Sequence, residues 1–190
     1  MNGLFRPDPE NPTAIESKPN RNLMFVCSGN TCRSPMAESI FRHLFNESGP
    51  HHLIDSPETE ANIEVTSAGV FARGEEPYTP YAVRVVKYQY DEDISNGYSK
   101  IAIKERLIDQ DLVLCMTDDL SRFLRERFPD IADRVFSLQE AINDLAIPNV
   151  DGDVTDPYGY DYLVYMETAK QLDTVIRALM PEILKSWNMD

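Results

Sequence analysis

The chain has 190 residues, 42% of them hydrophobic and 26% charged, with 32 Asp and Glu against 18 Lys and Arg for a formal net charge of −14. This balance suits a globular protein with a real core and speaks against disordered or fibrous classes. So acidic a chain, with no basic stripe, repels nucleic acid and anionic membrane surfaces, and no apolar run approaches the roughly 20 residues that span a bilayer.

Residues 1–21 mix prolines with polar residues, show no periodicity and lack an apolar signal-like core, so they read as a flexible tail ahead of one domain over 22–190. Three cysteines, Cys27, Cys32 and Cys115, do not make an even disulfide framework and point to a reducing, cytoplasmic setting. His43, His51 and His52 show no ligand spacing with them, so no metal is expected.

The apolar run at 22–27 reads as a strand buried on both faces of a parallel sheet and ends in Cys27. Gly29 permits a sharp turn, and Ser34-Pro35 opens a helix with Pro35 at its first position. Met36, Ala37, Ile40, Phe41, Leu44 and Phe45 then recur at helical spacing. Residues 46–62 read as a polar surface loop in which His51 and His52 are solvated. A second strand follows at 63–67, and Thr79-Pro80 starts a helix bearing Ala82, Val83, Val85 and Val86. Residues 100–108 predict a short helix, and 112–116 a buried strand in which Cys115 is a small core hydrophobe. Thr117 or Asp118 caps the next helix, 135–138 reads as a fourth strand, and 141–160 as a long loop dense in Asp, Gly and Pro. The last helix begins near Asp161, and Pro181 inside it predicts a kink or a split. This alternation implies an α/β three-layer sandwich, with a roughly four-stranded, mostly parallel sheet and helices on both faces.

Ligands in such folds bind at the carboxyl ends of the strands, where VCSGNTCRSPMAE at 26–38 lies. A strand, a glycine-containing loop and a helix N-terminus converge loop N–H groups and the helix dipole on one point, which suits an anion. The same setting favours the thiolate of Cys27, and Arg33 can hold two phosphoryl oxygens at once. Attack on phosphorus needs a proton donor for the leaving group. Asp156 in the DPYG segment is the best candidate, with Pro157 stiffening the turn and Tyr158 walling the pocket, while Asp151, Asp153 and Asp161 remain open on sequence alone.

Together, VCSGNTCRSPMAE and DPYG resemble the low-molecular-weight protein tyrosine phosphatase family, over roughly residues 22–184. The resemblance implies Cys27 as nucleophile, Arg33 as phosphate binder and Asp156 as general acid. Ser28, Gly29, Asn30, Thr31, Cys32 and Ser34 would complete the phosphate-binding loop. Ser34 would donate to the Cys27 sulfur and help it leave, and Asn30 with Ser67 of VTSAG would hold the loop's shape. It also implies phosphorylated protein substrates and no cofactor; the oligomeric state stays open, with a monomer favoured.

The residue after the loop asparagine separates branches of that family, Ile in tyrosine phosphatases and Thr in arginine phosphatases. Thr31 therefore makes phosphoarginine the favoured substrate and phosphotyrosine the alternative. Tyr158, a second candidate for substrate selection, matches neither branch, since the arginine branch typically shows Phe there. Related enzymes often brace the loop asparagine with a histidine near 95–99; SNGYS here leaves the brace weaker or passes it to Ser95. A thioredoxin-coupled arsenate reductase would need a further cysteine near 80–100, which is missing, and a non-catalytic phosphate-binding module would not need Cys27, Arg33 and Asp156 together. Cys32 is either loop packing or a partner for a reversible Cys27–Cys32 disulfide.

Overall fold

The computed structural model describes residues 20–48 and 62–187. Four strands, β1 (Asn20–Cys27), β2 (Asn62–Gly69), β3 (Leu112–Cys115) and β4 (Val135–Ser137), form one sheet in the order β2-β1-β3-β4. Every pairing is parallel. Leu23 to Cys27 are buried without alternation, as a strand covered on both faces must be. The chain leaves β1 for β2 on one side and reaches β3 on the other, so the end of β1 is a topological switch point.

The helices are α1 (Arg33–Ser48), α2 (Pro80–Tyr90), α3 (Lys104–Leu107), α4 (Asp118–Arg127), α5 (Leu138–Asp144) and α6 (Tyr162–Ser186), with a 3₁₀ turn at Pro129–Arg134. Helices α1, α2 and α6 pack on one another, while α4 lies against β3, β4 and the 3₁₀ turn. Ile40, Phe41 and Leu44 of α1 are fully or almost fully buried, as are Leu172, Val175, Ile176 and Leu179 of α6.

Several local expectations change. Pro35 is the third residue of α1 rather than the first, still within the turn whose N–H groups have no helical acceptor. The short helix of 100–108 shrinks to α3. Thr117 occupies the N-cap of α4 without a side-chain bond, and Asp118 instead accepts from Ser137. The supposed loop at 141–160 begins inside α5, whose start is fixed by a reciprocal capping box between Ser137 and Glu140. Pro181 neither splits nor ends α6. Val175, Ile176, Leu179 and Met180 before it and Ile183 after it are all buried, and that packing offsets the lost backbone bond. Asn20 and Arg21, read as the end of the tail at 1–21, begin β1, while the rest of that tail and the segment carrying His51 and His52 lie outside the described residues.

Candidate active site

At the carboxyl end of β1 the chain turns through Ser28 to Cys32 before α1 begins. The loop's carbonyls are held from outside: Val70 N–H donates to Cys27 O at 3.0 Å, Phe71 N–H to Ser28 O at 2.8 Å and Thr79 N–H to Thr31 O at 2.9 Å. Carbonyls turned outward leave the intervening amides to the concave side, where they can hold an anion together with the N-terminus of α1.

Gly69, paired in register with Cys27, permits the close approach this requires. A methyl carbon there would lie 2.7–2.8 Å from Asn30 N, Ser28 O and Gly29 C. Asn30 is fully buried with φ of +53°, a left-handed conformation that Asn tolerates better than most residues.

Cys27 is almost fully buried, and its sulfur accepts from Asn30 N–H at 3.1 Å and from Ser34 Oγ at 3.0 Å. The Asn30 amide nitrogen donates to Ser34 Oγ and Ser67 Oγ, both at 2.9 Å. Its oxygen accepts from Lys100 N–H at 2.7 Å, so the brace is a backbone amide. Ser95 plays no part in it; its own N–H donates to Asp93. Ser67 donates onward to Glu38 Oε2 at 2.6 Å, and Glu38 is paired with Arg42.

Arg33 lies under the cavity mouth with its side chain 6% exposed, and its Nη2 meets Asp156 Oδ2 at 2.5 Å. It also donates to Ser28 Oγ at 3.4 Å and Val154 O at 3.5 Å. Asp156 is 49% exposed, so it stands at the mouth, and its other oxygen accepts from Tyr158 N–H. Two of the remaining acidic candidates have local duties. Asp161 caps α6 by accepting from Leu163 and Val164, and Asp151 accepts from Asp153 N–H.

These groups open into one cavity of about 670 Å³, lined by Cys27, Ser28, Gly29, Thr31, Cys32, Arg33, Asp156 and Tyr158. Phe71, Arg73, Glu76, Pro77, Tyr78, Thr79 and Pro80 complete it, none of which the motif reading singled out for the site. Asn30, Ser34 and Ser67 stand behind this lining rather than in it. Cys32 is buried, with its sulfur 3.2 Å from Tyr165 Oη and 3.4 Å from Thr79 Oγ1. Burial and the Cys32 contact push the Tyr165 phenol up, which keeps it neutral. Cys115 is fully buried in β3 and its thiol is pushed up by burial, consistent with a core hydrophobe. No grouping of three or more His, Cys, Asp or Glu among the described residues is arranged to hold a metal ion. No helix among them is long and apolar enough to cross a membrane.

A buried sulfur with two donors, an arginine beside it and an inward ring of amides can bind a tetrahedral oxyanion and attack its central atom. Residues 22–188 match the family described as low molecular weight phosphotyrosine protein phosphatase, and the chain belongs to that family. It is a protein phosphatase by class. Among its relatives, the protein-arginine-phosphatase of Bacillus subtilis is 33% identical over 86% of this chain and 97% of its own. The low molecular weight protein-tyrosine-phosphatase PtpB of Staphylococcus haemolyticus is 29% identical over 79% of this chain and 91% of its own. Of solved structures, a low molecular weight protein tyrosine phosphatase from T. tengcongensis superposes with a TM-score of 0.71 at 37% identity, covering 85% of this chain and 99% of that one. A YwlE arginine phosphatase mutant with a phosphorylated active-site serine gives 0.72 at 30% identity, covering 89% and 99%.

Proposed function

We propose that the protein hydrolyses phosphoarginine in proteins through a phosphocysteine intermediate. Cys27 sulfur attacks phosphorus in line, the bond from phosphorus to the substrate nitrogen breaks, and Asp156 delivers the proton that lets the arginine side chain depart. Water then attacks the phosphocysteine, Asp156 takes its proton, phosphate leaves and Cys27 returns as the thiolate. Ser34, donating to that sulfur at 3.0 Å, stabilises it as a leaving group in this second step. Arg33 and the loop amides hold the phosphoryl oxygens throughout.

Asp156 has to change partner for this to work. In the ligand-free arrangement it is an ion-pair acceptor of Arg33. A phosphoryl dianion bound to Arg33 displaces that carboxylate from the guanidinium. Substrate binding thus frees Asp156 to face the leaving group.

The observation that carries the choice of substrate is Thr31, which lines the same cavity as Cys27 and the acidic residues Asp156 and Glu76. A compact hydroxyl side chain leaves room for a flat guanidinium, and carboxylates are its natural acceptors. Identity of 33% to the protein-arginine-phosphatases against 29% to the PtpB of Staphylococcus haemolyticus also supports this reading, while the 37% identity to the T. tengcongensis protein tyrosine phosphatase favours the other. Phosphotyrosine is the second reading, favoured by Phe71 and Tyr158, whose exposed rings at the cavity could flank a phenyl group. Paired kinetics on phosphoarginine and phosphotyrosine peptides decide between them. Wild type should favour phosphoarginine in kcat/KM, and Thr31→Ile should shift the ratio toward phosphotyrosine; an unchanged ratio removes Thr31 as selector. Turnover by Cys27→Ser would overturn the mechanism.

A further inference from the structure

Residues 151–157, which carry Asp156, belong to no helix or strand, so their backbone polar groups need partners from outside. Two glutamines supply some of them. Gln139 of α5 accepts from Gly152 N–H at 2.8 Å, and a methyl carbon at Gly152 would lie 2.6–2.7 Å from Gln139 N, Gln139 Cα and Leu138 C, so the loop is seated directly on the start of that helix. Gln171 of α6 uses both ends of its amide: the nitrogen donates to Asp153 O at 2.6 Å and the oxygen accepts from Thr155 N–H at 3.2 Å. A carbonyl only accepts and an N–H only donates, so the two partners fix which way the amide faces.

These bonds straddle Val154. That residue is almost fully buried; its N–H reaches Met116 O, just after β3, at 3.4 Å, and its carbonyl accepts from Arg33 at 3.5 Å. Val154 plugs the segment into the end of the sheet, and Gln171 holds the residue on each side of the plug. Thr168, one turn earlier on α6, is buried and brings its hydroxyl within 3.5 Å of Thr155 O while donating to Val164 O at 2.9 Å. Helix α6 is 25 residues long and packs on α1 and α2, which gives the amide a rigid mount. Thr155 immediately precedes Asp156, so the place where its N–H is held sets the point from which the carboxyl reaches into the cavity.

We propose that Gln171 is a positioning residue for the general acid: its amide ties the backbone on both sides of Val154 to α6 and so fixes the reach of Asp156 toward the leaving group. The assignment rests on the reading of Asp156 as the acid. Gln171 is not part of the cavity lining and acts only through the loop.

Gln171→Leu removes both bonds. Its effect on kcat/KM is read on two substrates: whichever of the phosphoarginine and phosphotyrosine peptides wild type prefers, whose leaving group needs a proton, and p-nitrophenyl phosphate, whose nitrophenolate departs without one. The variant should lose about 3- to 5-fold on the peptide, the size of a solvent-reached hydrogen bond or two, and change little on p-nitrophenyl phosphate. In an Asp156→Asn background the same substitution should cost nothing further on either. Gln171→Glu, which keeps an acceptor for Thr155 N–H and loses the donor to Asp153 O, should also lower the peptide rate selectively. A misfolded fraction scales both substrates alike. Equal losses on the two substrates, no loss on either, or an added loss on top of Asp156→Asn would therefore overturn the positioning role. If Asp156→Asn itself leaves kcat/KM for the peptide intact, the acid assignment has failed and Gln171 falls with it; if it lowers that rate while both Gln171 variants match wild type, the assignment of Gln171 alone has failed.

Discussion

Arg33 has a partner before any phosphate arrives. Its guanidinium is buried under the cavity mouth and bound to the half-exposed carboxylate of Asp156, so the proposed phosphate binder and the proposed general acid are paired with each other. Two opposite effects of one substitution follow. Asp156→Asn removes the acid, and kcat should fall by about 10²-fold or more. It also removes the charge that competes for Arg33, so inorganic phosphate should inhibit the variant at lower concentration than wild type. Steady-state kinetics with phosphate as inhibitor measure both. A variant whose kcat is retained would return the acid's role to another residue.

At the scale of elements, α4, β4 and α5 are joined through one carboxylate. Glu140 accepts from Ser137 N–H at 2.8 Å, from Ser121 Oγ at 3.0 Å and from both terminal nitrogens of Arg125, at 2.6 and 3.0 Å. Burial alone would raise its pKa, but the Arg125 hydrogen bond and the two serine donors together hold it below the ordinary glutamate range. A depressed folded pKa means that the stabilisation is fully present above the unfolded value of about 4.3 and is lost as pH falls through the folded value. Glu140→Gln should therefore destabilise the protein at neutral pH by about 1 kcal/mol, discounted for partial exposure, and the gap to wild type should close toward pH 3. Urea unfolding at several pH values tests this; a gap independent of pH would mean that packing rather than charge is lost.

For the whole molecule, a formal charge of −14 opposes an anionic substrate at long range, while Arg33 and Arg73 attract it inside the cavity. Raising ionic strength from 10 to 150 mM shortens the screening length from about 30 Å to about 8 Å. kcat/KM for a net-negative phosphopeptide should rise over that range, and for one flanked by lysines it should fall. The same sign of response for both peptides would show that the global field does not steer substrate.

What the chain's order reveals about this molecule depends on whether the interacting groups are neighbours in sequence. Cys27 to Ser34 is contiguous, so the cradle was legible, as were the four strands, because fully buried parallel strands are uninterrupted apolar runs. Glu38 and Arg42 were within reach, one and two helical turns beyond Ser34, and the Ser137–Glu140 capping spacing that starts α5 was present in the sequence although the loop reading passed over it. Lys100 was not legible, since it braces Asn30 with a backbone N–H that every residue but proline possesses. Nor was the meeting of Tyr78 with Gly97, which only the packing of two distant turns creates.

The pairing of Arg33 with Asp156 also acts as a threshold on what may enter. Chloride or another monovalent ion would exchange one negative charge at Arg33 for another and forfeit the carboxylate's directed hydrogen bond. A phosphoryl dianion brings more charge and further oxygens for the loop amides. Under the proposed mechanism this contact would discriminate by charge density, holding the cradle against the salt anions of its surroundings and yielding it to a ligand able to use the loop amides as well.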